Sequence, residues 1–352
     1  MAVEDFLGEL EGLVERQDVA AILRGIATHS SHCRVAQQGC RALMTVLDKG
    51  ESPAVQQHAV GDVMSLTINN ANIQGDVRNL SVNIADCTIN NADIQVAIAQ
   101  LGGIEAVLEV CARHPDDTEV QINAVGALWL IASRNANNKM AIAQLGGIKA
   151  VLKTLVLHPT AALVHQQALR ALSSLSANNA DNKVAIAQLG GIEAVLEARA
   201  RHQDDAVVQQ QAMAALRNII TNNTENQVAI AQLGGIEAVL EARAHHQDDA
   251  EVQRYALGAL RNLAANNADN QVAIAQLGGV QAMLEALAVH PEDAEVQRQA
   301  IAVLLNVGCL NPELQQQIKA AGGEAAIKAA MQAPNASADT RKWGWQLLTT
   351  CQ

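Results

Sequence analysis

The stretch Val184-Ala185-Ile186-Ala187-Gln188-Leu189-Gly190-Gly191-Ile192-Glu193-Ala194-Val195-Leu196-Glu197-Ala198 decides the fold. An Ala-rich apolar run meets a Gly pair and then resumes with helical spacing. The same passage returns unchanged at 228–242. Related versions surround Gly102-Gly103, Gly146-Gly147, Gly234-Gly235, Gly278-Gly279 and Gly322-Gly323, each step being 44 residues. Asn90-Asn91, Asn178-Asn179, Asn222-Asn223 and Asn266-Asn267 keep the same grid. A period of ~40–47 residues marks a stack of units with two or three helices each.

One unit lies between Asn178 and Asn222. The spacing predicts a short helix near Asp181 to Leu189, closed by the Gly pair, because glycine tolerates the left-handed conformation of a helix end. A second helix runs near Ile192 to Arg201, and a third near Ala206 to Thr221, closed by Asn222 and Asn223. Asp248 with Glu251, and Asp116 with Glu119, read as capping boxes at the start of third helices.

This three-helix unit resembles the armadillo repeat family. The resemblance rests on Ala259-Leu260-Arg261-Asn262-Leu263-Ala264 and on Ala275-Gln276-Leu277-Gly278-Gly279-Val280. It implies an all-α, right-handed α-solenoid of about seven to eight repeats, irregular ends included. Regular repeats are expected over 96–309, irregular N-terminal repeats and a cap over 1–74, and a C-terminal capping repeat over 310–352. In that last repeat Trp345 falls in an apolar column and is expected in the core of the cap. Ile68-Asn69-Asn70-Ala71-Asn72-Ile73-Gln74 is echoed by Ile89-Asn90-Asn91-Ala92-Asp93-Ile94-Gln95, so 75–95 reads as a partial duplication forming a loop or distorted helix.

Composition narrows the function. The chain has 352 residues and a formal net charge of -12. That balance argues against nucleic acid, whose phosphates call for a basic field, and against an anionic membrane surface. No apolar run approaches ~18 residues. The N-terminus is acidic and lacks the apolar core of a signal peptide. Six cysteines form no C-x-x-C pair, as expected of buried thiols in a reducing compartment, so the expected location is the cytoplasm, with the nucleus open.

The third helices separate into constant and variable columns. Val120, Val164, Val208, Val252 and Val296 form one constant column; Ala124, Ala168, Ala212, Ala256 and Ala300 another; Leu128, Leu172, Leu216, Leu260 and Leu304 a third. Their fourfold spacing puts them on one face, the core. A variable stripe holds Ile122, Gln166, Gln210, Arg254 and Arg298, then Gly126, Arg170, Ala214, Gly258 and Ala302. It continues with Trp129, Ser173, Arg217, Arg261 and Leu305, and with Leu130, Ser174, Asn218, Asn262 and Asn306. The resemblance assigns this stripe to a concave groove. It implies that Asn218, Asn262 and Asn306 grip a peptide backbone, although Leu130 and Ser174 break the pattern. Bonding between neighbouring helices is the other use of those amides. Arg170, Arg217, Arg254, Arg261 and Arg298, with Tyr255 at the edge and Trp129 on the face, suit acidic or phosphorylated side chains. Solvated or helix-paired arginines are the alternative.

The expected function is a non-catalytic scaffold or adaptor with a protein or peptide partner, acting as a monomer. Two other roles stand beside it: a transport receptor of the importin-α kind, and the substrate-binding subunit of a ubiquitin ligase. The first would need a Trp array where Gly126, Arg170, Ala214, Gly258 and Ala302 stand. His114, His158, His202, His246 and His290 lie one repeat apart, too far to share a metal. The Gly-Gly turns lack the order of a phosphate loop and follow helices. No nucleophile, metal or cofactor motif appears.

Overall fold

The computed structural model describes residues 3–16, 18–29, 34–35, 38–43, 91–308 and 311–350. Residues 75–90 of the expected insertion lie outside these. Residues 91–95 are not irregular; they open a regular helix, Asn91–Gln100.

Among the described residues six three-helix repeats follow one another in the sequence. Repeat I comprises Asn91–Gln100, Gly103–Arg113 and Thr118–Ala132; repeat II, Ala136–Gln144, Gly147–Leu157 and Ala162–Ser176. Repeat III comprises Ala180–Gln188, Gly191–Arg201 and Ala206–Ile220; repeat IV, Thr224–Gln232, Gly235–His245 and Ala250–Ala264. Repeat V comprises Ala268–Gln276, Gly279–Val289 and Ala294–Gly308; repeat VI, Pro312–Ala320, Gly323–Gln332 and Ala338–Thr350. The chain divides into two compact units, Met1–Asn182 and Lys183–Gln352, and each is an α-solenoid. Among the described residues no single helix is long and apolar enough to cross a membrane.

The Gly pairs serve two purposes. Gly190 has φ +76 and ends the first helix in the left-handed region. Gly191 begins the second helix, where a Cβ would meet Ile186 Cγ2 at 2.4 Å and its carbonyl oxygen at 2.7 Å. Glycine thus serves the left-handed conformation at Gly190 and the close approach of Ile186 at Gly191. Asn178, Asn222 and Asn266 hold φ near +55 after their third helices, and Arg134 stands in the same conformation after repeat I.

The residue after each left-handed position starts the next helix rather than closing the last. The Asn135 side chain accepts from Asn138 N, Asn223 from Asn226 N, and Asn267 from Asn270 N. The third-helix caps also differ from the expected boxes. Asp117 caps one helix by accepting from Val120 N, and Asp249 another by accepting from Glu251 N and Val252 N. Glu119 and Glu251 are therefore one position too early to reach back to the cap, and no capping box forms.

The core is the constant columns. In the first unit Val120, Ala124, Val164, Ala168 and Leu172 are fully buried; in the second Val208, Ala212, Leu216, Val252, Ala256, Leu260, Val296, Ala300 and Leu304 are too. Phe6, Ile22 and Ile26 add a core for the N-terminal helices Val3–Arg16 and Val19–Thr28. Cys40 and Cys111 are buried free thiols. Burial pushes the Cys111 thiol up to about 12 and raises Cys40 as well.

Trp345 is not in the cap core: it is 64% exposed. Its column holds buried Val125 and Leu169 in the first unit, and Met213, Leu257 and Ile301 in the second.

Polar side chains tie each repeat to the one before. Asn138 Nδ2 donates to Gln95 O (3.0 Å) and Ile131 O (3.0 Å); Asn182 Nδ2 donates to Lys139 O (3.2 Å) and Leu175 O (3.0 Å). In the second unit Asn226 Nδ2 donates to Lys183 O (3.2 Å) and Ile219 O (3.1 Å). Such amides satisfy carbonyls that would otherwise lie buried and unpaired.

Candidate peptide-binding surface

Within each unit the third helices pack against one another in sequence order. In the first unit Thr118–Ala132 lies against Ala162–Ser176. In the second, Ala206–Ile220, Ala250–Ala264, Ala294–Gly308 and Ala338–Thr350 form a row. Because the core columns face inward, the remaining positions of these helices stand at the surface between them. Trp129, Arg170 and Ser174 are half-buried in the first unit. Arg217, Asn218, Arg254, Tyr255, Arg261, Asn262, Arg298 and Asn306 are half-buried in the second. One column differs from the expected stripe: Gly126, Ala214, Gly258 and Ala302 are buried, and only Arg170 of that column reaches the surface. At Gly258 the absence of a side chain leaves room for Arg217, whose Cδ a Cβ there would meet at 2.9 Å.

Arginines and aromatic rings pair between consecutive third helices. Arg170 Cζ stands 5.1 Å from the Trp129 ring centroid in the first unit. In the second, Arg217 Cζ stands 4.9 Å from the Tyr255 centroid and Arg298 Cζ 5.8 Å from that of Trp343. These are cation–π distances.

The arginines divide by their counter-ions. Arg254 reaches the next repeat's cap, Asp293, with Nη2 to Oδ2 at 2.7 Å and Nε to both carboxylate oxygens at 3.2 Å, and it also pairs with Glu251. The hydrogen bond to Asp293 raises its already high pKa. Arg298 grips Glu295, Nε to Oε2 at 2.9 Å and Nη2 to Oε1 at 2.5 Å. Among the described residues Arg170, Arg217 and Arg261 form no salt bridge; Arg261 donates from Nε (3.3 Å) and Nη2 (3.2 Å) to Asn262 Oδ1. Burial, then the charges of Arg298 and Arg217, hold the Arg261 guanidinium below its usual pKa.

The asparagines bond backward along the row. Asn262 Nδ2 donates to Arg217 O (3.2 Å) and Thr221 Oγ1 (2.8 Å), and Asn306 Nδ2 donates to Arg261 O (3.1 Å). Each amide thus braces the preceding third helix near its C-terminal end.

A family model described as the GAC ARM domain matches residues 8–250. The chain belongs to the armadillo repeat family. Solved structures agree on the fold. An engineered protein is 28% identical with a TM-score of 0.64, over 71% of this chain and 96% of that one. A designed armadillo repeat protein in complex with the peptide (KR)4 is 19% identical with a TM-score of 0.61, over 71% and 99%. A structure concerning a phosphorylation switch in the interaction of cadherin and beta-catenin is 20% identical with a TM-score of 0.65, over 98% and 66%. No curated protein sequence matches.

Within the armadillo units, several recurring polar residues have structural rather than recognition duties, and sequence reasoning missed them. Gln121, Gln209, Gln253 and Gln297 are buried, and each donates to two carbonyls near the end of its own second helix, as Gln253 Nε2 does to Arg243 O (2.7 Å) and His246 O (2.9 Å). Their signal was a glutamine one step after the constant Val column. The recurrent histidines act between repeats: His158 Nε2 donates to Pro115 O (2.8 Å), and His290 Nε2 to Gln247 O (2.7 Å). Among the described residues no group of three or more His, Cys, Asp or Glu side chains is placed to hold a metal.

Proposed function

We propose that this armadillo protein is a non-catalytic scaffold or adaptor that lays an extended peptide with acidic or phosphorylated side chains across its third helices. One observation carries the reading: a chain of net charge -12 keeps arginines that, among the described residues, form no salt bridge, on the helix face its repeats leave variable. Charges left open at a half-buried face favour a ligand of opposite sign. The same sign disfavours a basic ligand such as the (KR)4 peptide of the designed neighbour, and with it a receptor for basic transport signals. The proposed partner is a protein or peptide rather than nucleic acid or membrane, met by a monomer in the cytoplasm or nucleus.

The test is retention of degenerate peptide libraries on the immobilised protein, one acidic and one basic, beside an Arg217→Glu, Arg261→Glu variant of equal helicity. Retention of acidic peptides that the variant loses supports the reading. Retention of basic peptides, or of both alike, overturns it.

A further inference from the structure

The chain contains only one Tyr, one Phe and three Trp. Three of these five rings, Trp129, Tyr255 and Trp343, each lie within cation–π distance of a third-helix arginine. An aromatic partner restrains a guanidinium while leaving its N–H donors available to another ligand. For Arg298 those donors are taken by Glu295. For Arg217 they are not.

Arg217 and Arg261 occupy the same position in repeats III and IV. Buried Gly258 leaves the space along which the Arg217 side chain runs, since a Cβ there would meet Arg217 Cδ at 2.9 Å. Asn262 Oδ1 accepts from Nε and Nη2 of Arg261, and its own amide is anchored on Arg217 O and Thr221 Oγ1. The carboxylate that exerts a pull on Arg261 is Glu295, whose oxygens are already engaged by Arg298 and Gln299. Two restrained guanidinium groups thus repel each other, and among the described residues neither forms a salt bridge. A single carboxylate would neutralise one of them. A phosphoryl group carries ≈ −1.5 to −2 charge and three strong acceptor oxygens, enough for both.

We propose that Arg217, Tyr255, Arg261 and Asn262 form a subsite for one phosphorylated side chain of the bound peptide. This rests on the peptide-binding reading above and makes it phosphorylation-dependent. Arg217 and Arg261 supply the donors, Tyr255 and Asn262 hold those two in place, and Arg254 and Arg298 remain structural ion pairs.

Three degenerate peptide libraries with identical flanks, differing in a central phosphoserine, serine or glutamate, are passed over the immobilised full chain. A preference of about tenfold or more for phosphoserine is expected, as charge-assisted bidentate bonds give. It should vanish in Arg217→Gln and Arg261→Gln, fall partway in Arg217→Lys, which keeps charge but loses the fork, and persist in Arg254→Gln. Thermal melts identify any variant that fails to fold, and Arg217→Lys then carries the comparison. Equal retention of the three libraries overturns the subsite and leaves the peptide surface standing. Phosphoserine preference that survives both glutamine variants also overturns it, by moving the anion elsewhere. Retention of none of the libraries overturns the subsite and the peptide surface together.

Discussion

Arg217 lies against the bare backbone of Gly258: a methyl group there would stand 2.9 Å from its Cδ. The clash is with a flexible side chain, so substitution moves the arginine rather than the helix. Gly258→Ala should leave stability unchanged or raise it by up to about 1 kcal/mol, because Gly in a helix interior is unfavourable. The same variant should weaken retention of acidic or phosphorylated peptides several-fold. Parallel denaturation and library-retention measurements check the two effects separately.

Arg134 holds a left-handed conformation that asparagine occupies after repeats II, III and IV, with φ of 57 beside 55 at Asn178. A side chain with a Cβ and no local hydrogen bond costs about 1 kcal/mol or more there. Arg134→Asn should raise the melting temperature by about 2 to 4 °C. Differential scanning calorimetry on the two proteins measures it, and no gain would mean that Arg134 is not strained.

Asn226 is the strut whose removal should hurt most clearly. Its amide serves Lys183 O and Ile219 O, from the first and the third helix of the preceding repeat. Asn226→Leu would leave both carbonyls buried without that donor, at a cost of about 2 to 4 kcal/mol. Urea denaturation should show an earlier midpoint, and hydrogen exchange should show the loss concentrated in repeats III and IV, since a solenoid's stability is local.

Lys139 Nζ donates to Ala177 O at 2.8 Å and Lys183 Nζ to Thr221 O, each near the C-terminal end of its own repeat's third helix. Burial holds both ammonium groups below the ordinary lysine pKa. A lysine depressed in the folded state is a cost at neutral pH, where both states are charged, and the cost fades as pH rises through the unfolded value near 10.4. At the equivalent position Gln227 bonds Asn262 O at 2.8 Å without a charge. Lys139→Gln with Lys183→Gln should therefore melt about 1 to 3 °C higher at pH 7, with the gap closing toward pH 10.5. Melts across that range decide it; a gap that stays constant with pH would assign any gain to packing.

What the sequence disclosed follows from how directly each feature depends on one repeat. The Val, Ala and Leu columns were legible because they keep both the helical and the 44-residue period, and all are buried. The left-handed Gly and Asn turns were legible because few residues tolerate that conformation. Features made by two repeats together were not. Arg254 reads as an open groove arginine until Asp293, 39 residues on, is seen beside it. Asn262 and Asn306 offer the same amide to a ligand or to a neighbouring helix, and only the structure shows which carbonyls their Nδ2 groups reach. Caps one residue off, at Asp117 and Asp249 rather than Asp116 and Asp248, came from two adjacent acids that pattern alone does not separate. Trp345 was misplaced because membership of an apolar column does not by itself decide burial.

The struts between repeats connect residues at constant offsets: Asn138, Asn182, Asn226 and Asn270 each reach back 43 positions. A donor that meets a main-chain carbonyl at a fixed offset has no regard for which side chain that carbonyl carries. Excising or doubling one 44-residue block would therefore leave each amide with a carbonyl at the right offset. Length in this protein is a variable that duplication and deletion can change in whole periods, while the surface arginines, which differ from block to block, would be reshuffled each time.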